Sequence, residues 1–262
     1  MSESAITATV DSKPVAVSLP EAAPHRTARS GFYVGMSGAL LLIVLIGFSR
    51  TLYLRAFFDV PEIPASVWVH GTVLTAWFVG LLLQTTLVAV RRSDIHRQSG
   101  WIVGGLGVAV FAVSLAVTLN FVPRQRALGV DIEARIRGLS VIVWSDLAAL
   151  LAFGIFLSAA IALRRRTEMH KRLMLLSSIS IVQPAMSRIW RWPVFNGLDS
   201  NVLGLGGLLL FILVLGLYDL LARKRVHAVT LCCGSFFMGC KIVGIYVIAR
   251  SAVGLSFVRG LG

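Results

Sequence analysis

Residues 69–97 read VHGTVLTAWFVGLLLQTTLVAVRRSDIHR, an apolar run that ends abruptly in a basic turn. The stretch 69–90 contains no Asp, Glu, Lys or Arg. A helix needs about 20 such residues to cross the hydrocarbon core of a bilayer. The sequence therefore predicts one membrane-spanning helix here, and the apolar residues that resume at Gly100 predict that the chain turns back into the membrane.

This alternation of long apolar runs and short charged turns continues along the whole chain. Of the 262 residues, 56% are hydrophobic and 14% are charged, whereas a soluble domain has about 45–50% and about 25%. The composition excludes an ordinary soluble domain. We predict an all-α fold, a polytopic transmembrane helix bundle of about seven helices, with spans near 31–54, 67–90, 100–122, 139–163, 171–191, 203–222 and 228–249.

The two ends of the chain differ from this pattern. Residues 1–30 are rich in Ser, Thr, Ala and Pro and contain no long apolar run, which predicts a disordered cytoplasmic tail. Residues 31–250 form the predicted membrane domain, and residues 251–262 a short C-terminal tail.

The chain is strongly basic, with 25 Lys and Arg against 12 Asp and Glu. In a soluble protein this excess would indicate a nucleic-acid partner, but here the basic residues flank apolar spans. We therefore expect no nucleic acid, and instead contacts with the lipid bilayer and with anionic lipid headgroups at the cytoplasmic Arg and Lys clusters. The distribution of these clusters predicts a cytoplasmic N-terminus.

Two of the basic turns have nearly the same sequence. Residues 91–97, RRSDIHR, match residues 165–171, RRTEMHK, in the chemical class of every residue, and residues 223–227, RKRVH, form a weaker third copy. Each copy places a histidine at the start of the next helix. The pattern predicts one helix followed by three parallel hairpin repeats.

The repeated histidines are His96, His170 and His227, and we place them in one inner layer. A histidine at a helix N-terminus tends to remain neutral, and neutral imidazole can bind a haem iron or a transition metal, or relay a proton. We therefore list all three as candidate cofactor ligands, with the cofactor itself unknown. The alternative is that the motif is only a well-capped turn at the membrane surface.

A second polar layer is predicted on the outer side. It consists of His70, Asp146 and Arg188, with Pro184 expected to kink the fifth span. Ionisable groups at membrane depth are costly and commonly functional. They could form a substrate pocket or a proton-exchanging triad. Alternatively, an Asp146–Arg188 ion pair could simply hold two helices together.

Several segments resemble a family of uncharacterised bacterial seven-helix inner-membrane proteins. They are GFSRTLYLRAFF, VHGTVLTAWFVGLLLQ, HRQSGW, RRRTEMHKRLMLL followed by Arg188, and YDLLARKRVHAVTL. The resemblance implies the seven-helix fold and a multi-pass location in a bacterial inner membrane. Cytochrome b561-like electron carriers share only the broader theme of histidines on several helices.

Three functions follow from these observations. The first is a b561-like redox protein that holds haem or a metal with the inner histidines. The second is a proton-coupled carrier of a small molecule that rocks around Asp146 and Arg188, and the third is a non-catalytic structural or assembly protein. No motif for nucleotide hydrolysis or zinc proteolysis is present in the sequence, so enzymatic activity is left open, as is association of several copies of the chain.

Overall fold

A computed structural model describes residues 24–60, 62–195 and 199–262. Within this part of the chain the regular structure is helical and no strand occurs, which confirms the all-α fold. The helices are α1 Pro24–Phe48, α2 Ala65–Ala89, α3 Ser93–Leu119, α4 Phe121–Ala127, α5 Ile132–Ala162, α6 Thr167–Ser180, α7 Gln183–Ile189, α8 Ser200–Arg223, α9 Ala228–Ile242 and α10 Ala252–Leu261. Of the tail predicted over residues 1–30, residues 1–23 lie outside the described part.

Within residues 24–60, 62–195 and 199–262, six helical segments are long and apolar enough to cross a bilayer. A chain with this arrangement is a multi-pass membrane protein, as the sequence predicts. The segments are Gly31–Tyr53, Ala65–Ala89, Ser93–Leu119, Ile132–Ala162, Ser200–Arg223 and Ala228–Arg250.

The fifth predicted span, residues 171–191, is not one continuous helix. It is divided into α6 and α7, with the interruption at residues 181–182 just before Pro184. Proline lacks the N–H that would continue the helical ladder. The hydroxyls of Ser177 and Ser180 also donate to carbonyls three residues earlier, at 2.8 and 2.7 Å, a type of bond that bends helices.

The three histidine-containing turns lie at one end of the bundle. The rings of His96 and His170 contact each other, and Arg223 donates to Glu168 at 2.8 Å. These contacts join the α2–α3, α5–α6 and α8–α9 turns. We call this the basic end of the bundle and the other side the opposite end.

The hydrophobic core lies between α1, α2, α5, α6 and α8, with α5 at its centre. Trp77 and Phe153 are fully buried in it, with their ring centroids 5.3 Å apart. The short helix α7 packs against α1 and α8. A Cβ at Gly47 would lie 2.4 Å from the carbonyl oxygen of Ala185, so α1 and α7 come this close only because residue 47 is glycine.

The C-terminal segment predicted as a short tail contains helix α10. Its Val258 is fully buried against α5, in a small apolar cluster with Ile136 and Val143. On its exposed side Arg259 donates to Glu133 at 2.9 Å. An amphipathic helix of this kind is stable only while its apolar face is covered, here by α5.

Candidate functional site in the membrane interior

A buried lysine marks the most unusual site of the bundle. Lys241 is 1% exposed and lies near the end of α9, just before a π-helical turn at Val243–Val247. Its ammonium donates to the carbonyl oxygen of Ser145 at 3.0 Å and to the Ser145 hydroxyl at 2.6 Å. From the sequence Lys241 is visible only as a charge that interrupts the seventh apolar run. Its hydrogen-bond acceptors both belong to Ser145 on α5, and no carboxylate in the described ranges of the chain lies within 4.0 Å of its ammonium.

The lysine is connected to the interruption between α6 and α7 through Ser145. The Ser145 hydroxyl donates to Oε1 of Gln183 at 3.4 Å, and Gln183 is the first residue of α7 and is buried. Three elements, α5, α7 and α9, therefore contribute polar side chains to one point in the bundle.

Asp146 lies next to Ser145, near the middle of α5. Within the described residues it makes no ion pair within 4.0 Å, although the charges of Lys241 and Arg188 both act on it. The predicted Asp146–Arg188 ion pair is thus not formed. Both cations therefore act on the Asp146 carboxylate from more than 4.0 Å away.

Arg188 lies one turn beyond Pro184 on α7. Its guanidinium donates to the carbonyl oxygen of Pro184 at 3.0 Å and lies 4.3 Å from the ring centre of Phe48. His70, on α2, interacts with the charge of Arg188 and places Nδ1 3.4 Å from the hydroxyl of Ser114. The three residues predicted as an outer layer therefore interact electrostatically, but within the described chain no hydrogen bond or ion pair joins any two of them.

We call Ser145, Asp146, Gln183, Arg188 and Lys241 the interior cluster. It combines two cationic groups with one carboxylate, and its remaining members are uncharged hydrogen-bonding groups. Because ionisable groups at membrane depth are costly and commonly line substrate or ion pathways, the cluster is the leading candidate for a binding site.

A separate ion-pair network closes the basic end. Arg172 and Asp219 are both fully buried, and Arg172 donates to both carboxylate oxygens of Asp219. Arg172 also donates to Glu168 at 2.8 Å, and Thr230 donates to Asp219 at 2.6 Å. The network ties α6, α8 and α9 together. Arg172 is the central residue of this network. In the sequence it does not stand out, because it follows the other basic residues of the second turn.

The inner-layer histidines are separated by the structure into a pair and a single residue. The ring centroids of His96 and His170 are 6.4 Å apart. His227 is the N-cap of α9, and its Nδ1 accepts a hydrogen bond from the backbone N–H of Val229 at 3.1 Å. Burial, together with the charges of Arg172 and Arg223, lowers the pKa of His227. Among the described residues no group of three His, Cys, Asp or Glu side chains is arranged to hold a metal ion.

Comparison with protein-family models, with curated proteins and with solved structures finds no match to this chain. The class of protein therefore follows from the fold and the site. The chain is a multi-pass membrane protein whose bundle contains a polar cluster beside an interrupted helix.

Proposed function

We propose that the protein is a proton-coupled carrier for a small solute that bears a carboxylate or phosphate group, and that the interior cluster binds this group. The observation that carries the proposal is the charge imbalance around Lys241, a buried cation whose hydrogen-bond partner among the described residues is Ser145.

The electrostatics of the cluster favour an anionic ligand. Arg188 and Lys241 share one carboxylate, Asp146, and within the described residues neither forms an ion pair within 4.0 Å. An uncompensated charge in a low-dielectric interior costs several kcal/mol. Anionic oxygens placed between the two cations would offset that cost, so the site is expected to be more stable when such a group is bound.

The backbone around the cluster is suited to conformational change. Gln183 begins α7 directly after the interruption, and the π-helical turn Val243–Val247 begins two residues after Lys241. Discontinuous helices and π turns recur at the binding sites of membrane carriers and at functional sites in general. These two points therefore provide hinges next to the ligand-binding side chains.

Helix α6 lies between the interior cluster and the basic end of the bundle. Arg172 precedes the end of α6 at Ser180 by eight residues, about 12 Å at 1.5 Å per residue, and Gln183 follows after the interruption. Leu175, Leu176 and Ile179 are buried between them. The ion pairs of Arg172 close the basic end, and release of these bonds would open the path from the cluster to that side.

Proton coupling is assigned to Asp146. Proton uptake by its carboxylate changes the net charge of the cluster by one, and therefore changes the affinity for an anion. We expect Asp146→Asn to retain anion binding while losing the response of uptake to a pH gradient.

The test uses the purified full chain and three defined probes: lactate, succinate and inorganic phosphate. Thermal unfolding in detergent is measured with each anion and with chloride at equal ionic strength. We expect at least one probe to raise the unfolding midpoint and to enter proteoliposomes faster than protein-free vesicles. Both effects should be lost in Lys241→Met.

A matched control is Lys224→Met, because Lys224 is an exposed lysine at the basic end of the same protein. It should behave as the parent does. Equal behaviour of the two methionine variants would overturn the proposal, as would the absence of stabilisation and uptake with all three probes.

A redox function is a second candidate, and the approach of His96 to His170 favours it. Haem iron is commonly held by axial imidazoles, and these two residues occupy equivalent positions in the two best-matched turns. An absorption spectrum of the protein purified from haem-replete cells tests this directly. A Soret band that disappears in His96→Ala and in His170→Ala would establish haem binding, whereas a featureless spectrum beyond 300 nm would exclude it.

A further inference from the structure

The rings of His96 and His170 each have one nitrogen available as a ligand. Nδ1 of His170 lies 2.9 Å from the carbonyl oxygen of Ala160. A carbonyl only accepts, so this nitrogen carries the proton, and Nε2 has the free lone pair. Metal-binding histidines in proteins are commonly oriented in this way, by donation from the other ring nitrogen to a carbonyl.

The His96 ring shows the complementary arrangement. Its Nδ1 is buried and has no hydrogen-bond partner within the described part of the chain. In the tautomer that carries the proton on Nε2, Nδ1 has a free lone pair. A buried acceptor without a partner is rare and requires an explanation.

A second buried acceptor is the side-chain oxygen of Gln84, on α2, which faces the same side of α3. Gln84 is 8% exposed, and its Nε2 donates to the hydroxyl of Ser99 at 2.8 Å. No hydrogen-bond partner of its Oε1 occurs in the described chain, and this oxygen lies 4.0 Å from the position that a Cβ of Gly100 would take. Residues 96 and 100 are one helical turn apart, so this oxygen lies over the face of α3 that carries His96.

We propose that His96, His170 and Oε1 of Gln84 form a binding site for one first-row transition metal ion, such as Zn²⁺ or Co²⁺. Two imidazole nitrogens and an amide oxygen suit these ions and do not suit Mg²⁺ or Ca²⁺, which prefer sites made of oxygen ligands. The site is independent of the carrier function, because none of its residues belongs to the interior cluster.

The dimensions of the pair agree with this assignment. Two ring nitrogens that each lie about 2 Å from a shared ion place the ring centroids about 5–6 Å apart. The observed separation is 6.4 Å, so binding requires the ring centroids to approach by about 0.4–1.4 Å. Both histidines are only half-buried at the basic end, and an ion can therefore enter without crossing the apolar core.

An ion explains Gln84 better than haem does. In a bis-histidine haem both axial positions are taken by imidazole, and the Gln84 oxygen would have no role. In a three-ligand ion site the same oxygen completes the protein ligands and leaves a position for water.

The test uses the full chain, purified without a polyhistidine tag and stripped of metal with a chelator. It is titrated with Co²⁺, whose binding is followed by visible absorption, and with Zn²⁺, whose binding is measured by metal analysis. We expect one equivalent of either ion per chain, and no binding of Mg²⁺. His96→Ala and His170→Ala should each weaken binding by about 100-fold, and Gln84→Met by about tenfold, in line with losses seen at other metal sites.

His227→Ala is the matched control, since His227 lies at the equivalent position of the third turn and its Nδ1 caps α9. It should bind Co²⁺ as the parent does. To separate lost ligands from lost folding, each variant is also compared by size-exclusion profile, and His96→Gln, which retains a polar side chain of similar reach, is included. Failure of the folded parent to bind, equal weakening by His227→Ala, or haem in place of the ion would overturn the proposal.

Discussion

The buried pair Arg172–Asp219 allows a quantitative test of how the bundle is held together. We consider Arg172→Met, Asp219→Asn and the double variant. Removing one member of a buried ion pair costs about 3–5 kcal/mol, whereas removing both is often close to neutral. The double variant should therefore be no less stable than the worse single variant, which corresponds to a coupling free energy of about 3 kcal/mol or more.

The two single variants should not be equal. If Asp219 is changed, Arg172 still donates to Glu168 at 2.8 Å. If Arg172 is changed, Asp219 keeps only the neutral donors Thr230 and the backbone N–H of His227, at 2.6 and 3.1 Å. We expect Arg172→Met to be the more destabilising change, because it leaves a buried carboxylate without a cation.

Asp146 and Arg188 provide the internal control. They are the same pair of residue types in the same bundle, but no ion pair joins them within the described chain. Since Coulomb energy falls with distance and no hydrogen bond joins the two residues, Asp146→Asn and Arg188→Met should show less than half the coupling of Arg172–Asp219. Unfolding by SDS in mixed micelles, followed by tryptophan fluorescence, measures both cycles. Additive losses at Arg172–Asp219, or equal coupling in both pairs, would refute the assignment of the buried network.

Three further predictions concern caps and packing. Because the pKa of His227 is lowered in the folded protein, the unfolded chain takes up this proton first as the pH falls below about 6.5, and the folded state loses stability. His227→Asn keeps the capping acceptor but does not titrate, so it should lose less stability than the parent between pH 7.5 and 5.5. An equal loss in both proteins would exclude His227 as the source. Gly47→Ala places a methyl group against the Ala185 carbonyl and should cost about 1–3 kcal/mol of stability. Gly105→Ala, with open space around it, should be neutral or stabilising by up to about 1 kcal/mol. Thermal unfolding in detergent compares the two variants, and similar midpoints would contradict the close α1–α7 contact. Val258→Asp should detach α10 from α5 and expose it to limited proteolysis, while an unchanged digestion pattern would show that this helix does not depend on its buried face.

The spans that sequence reasoning predicts well are those in which apolar residues are continuous. The run 69–90 became the greater part of α2, and the runs on either side became α1 and α3. The exception is 171–191, where four polar serines and Pro184 interrupt the segment. Composition alone does not say whether such a segment bends or divides, because that depends on which neighbours satisfy the freed backbone groups.

The candidate site was predictable in part for a related reason. Asp146 and Arg188 stand out as charges within apolar runs, and so in principle does Lys241. The sequence does not reveal which of these residues contact each other. Lys241, for example, is hydrogen-bonded to Ser145, 96 residues earlier. The repeat of basic turns did indicate that His96 and His170 are equivalent, but not that His227 serves as a helix cap.

The position of Arg172 has a consequence for how the protein is made. Arg172 is the sixth residue of α6, a helix that is not among the segments long and apolar enough to cross a bilayer. Its buried partner Asp219 is synthesised 47 residues later. The ion pair that joins α6 to α8 therefore forms only after α8 has been synthesised. Until then Arg172 has Glu168, four residues earlier, as an acidic partner.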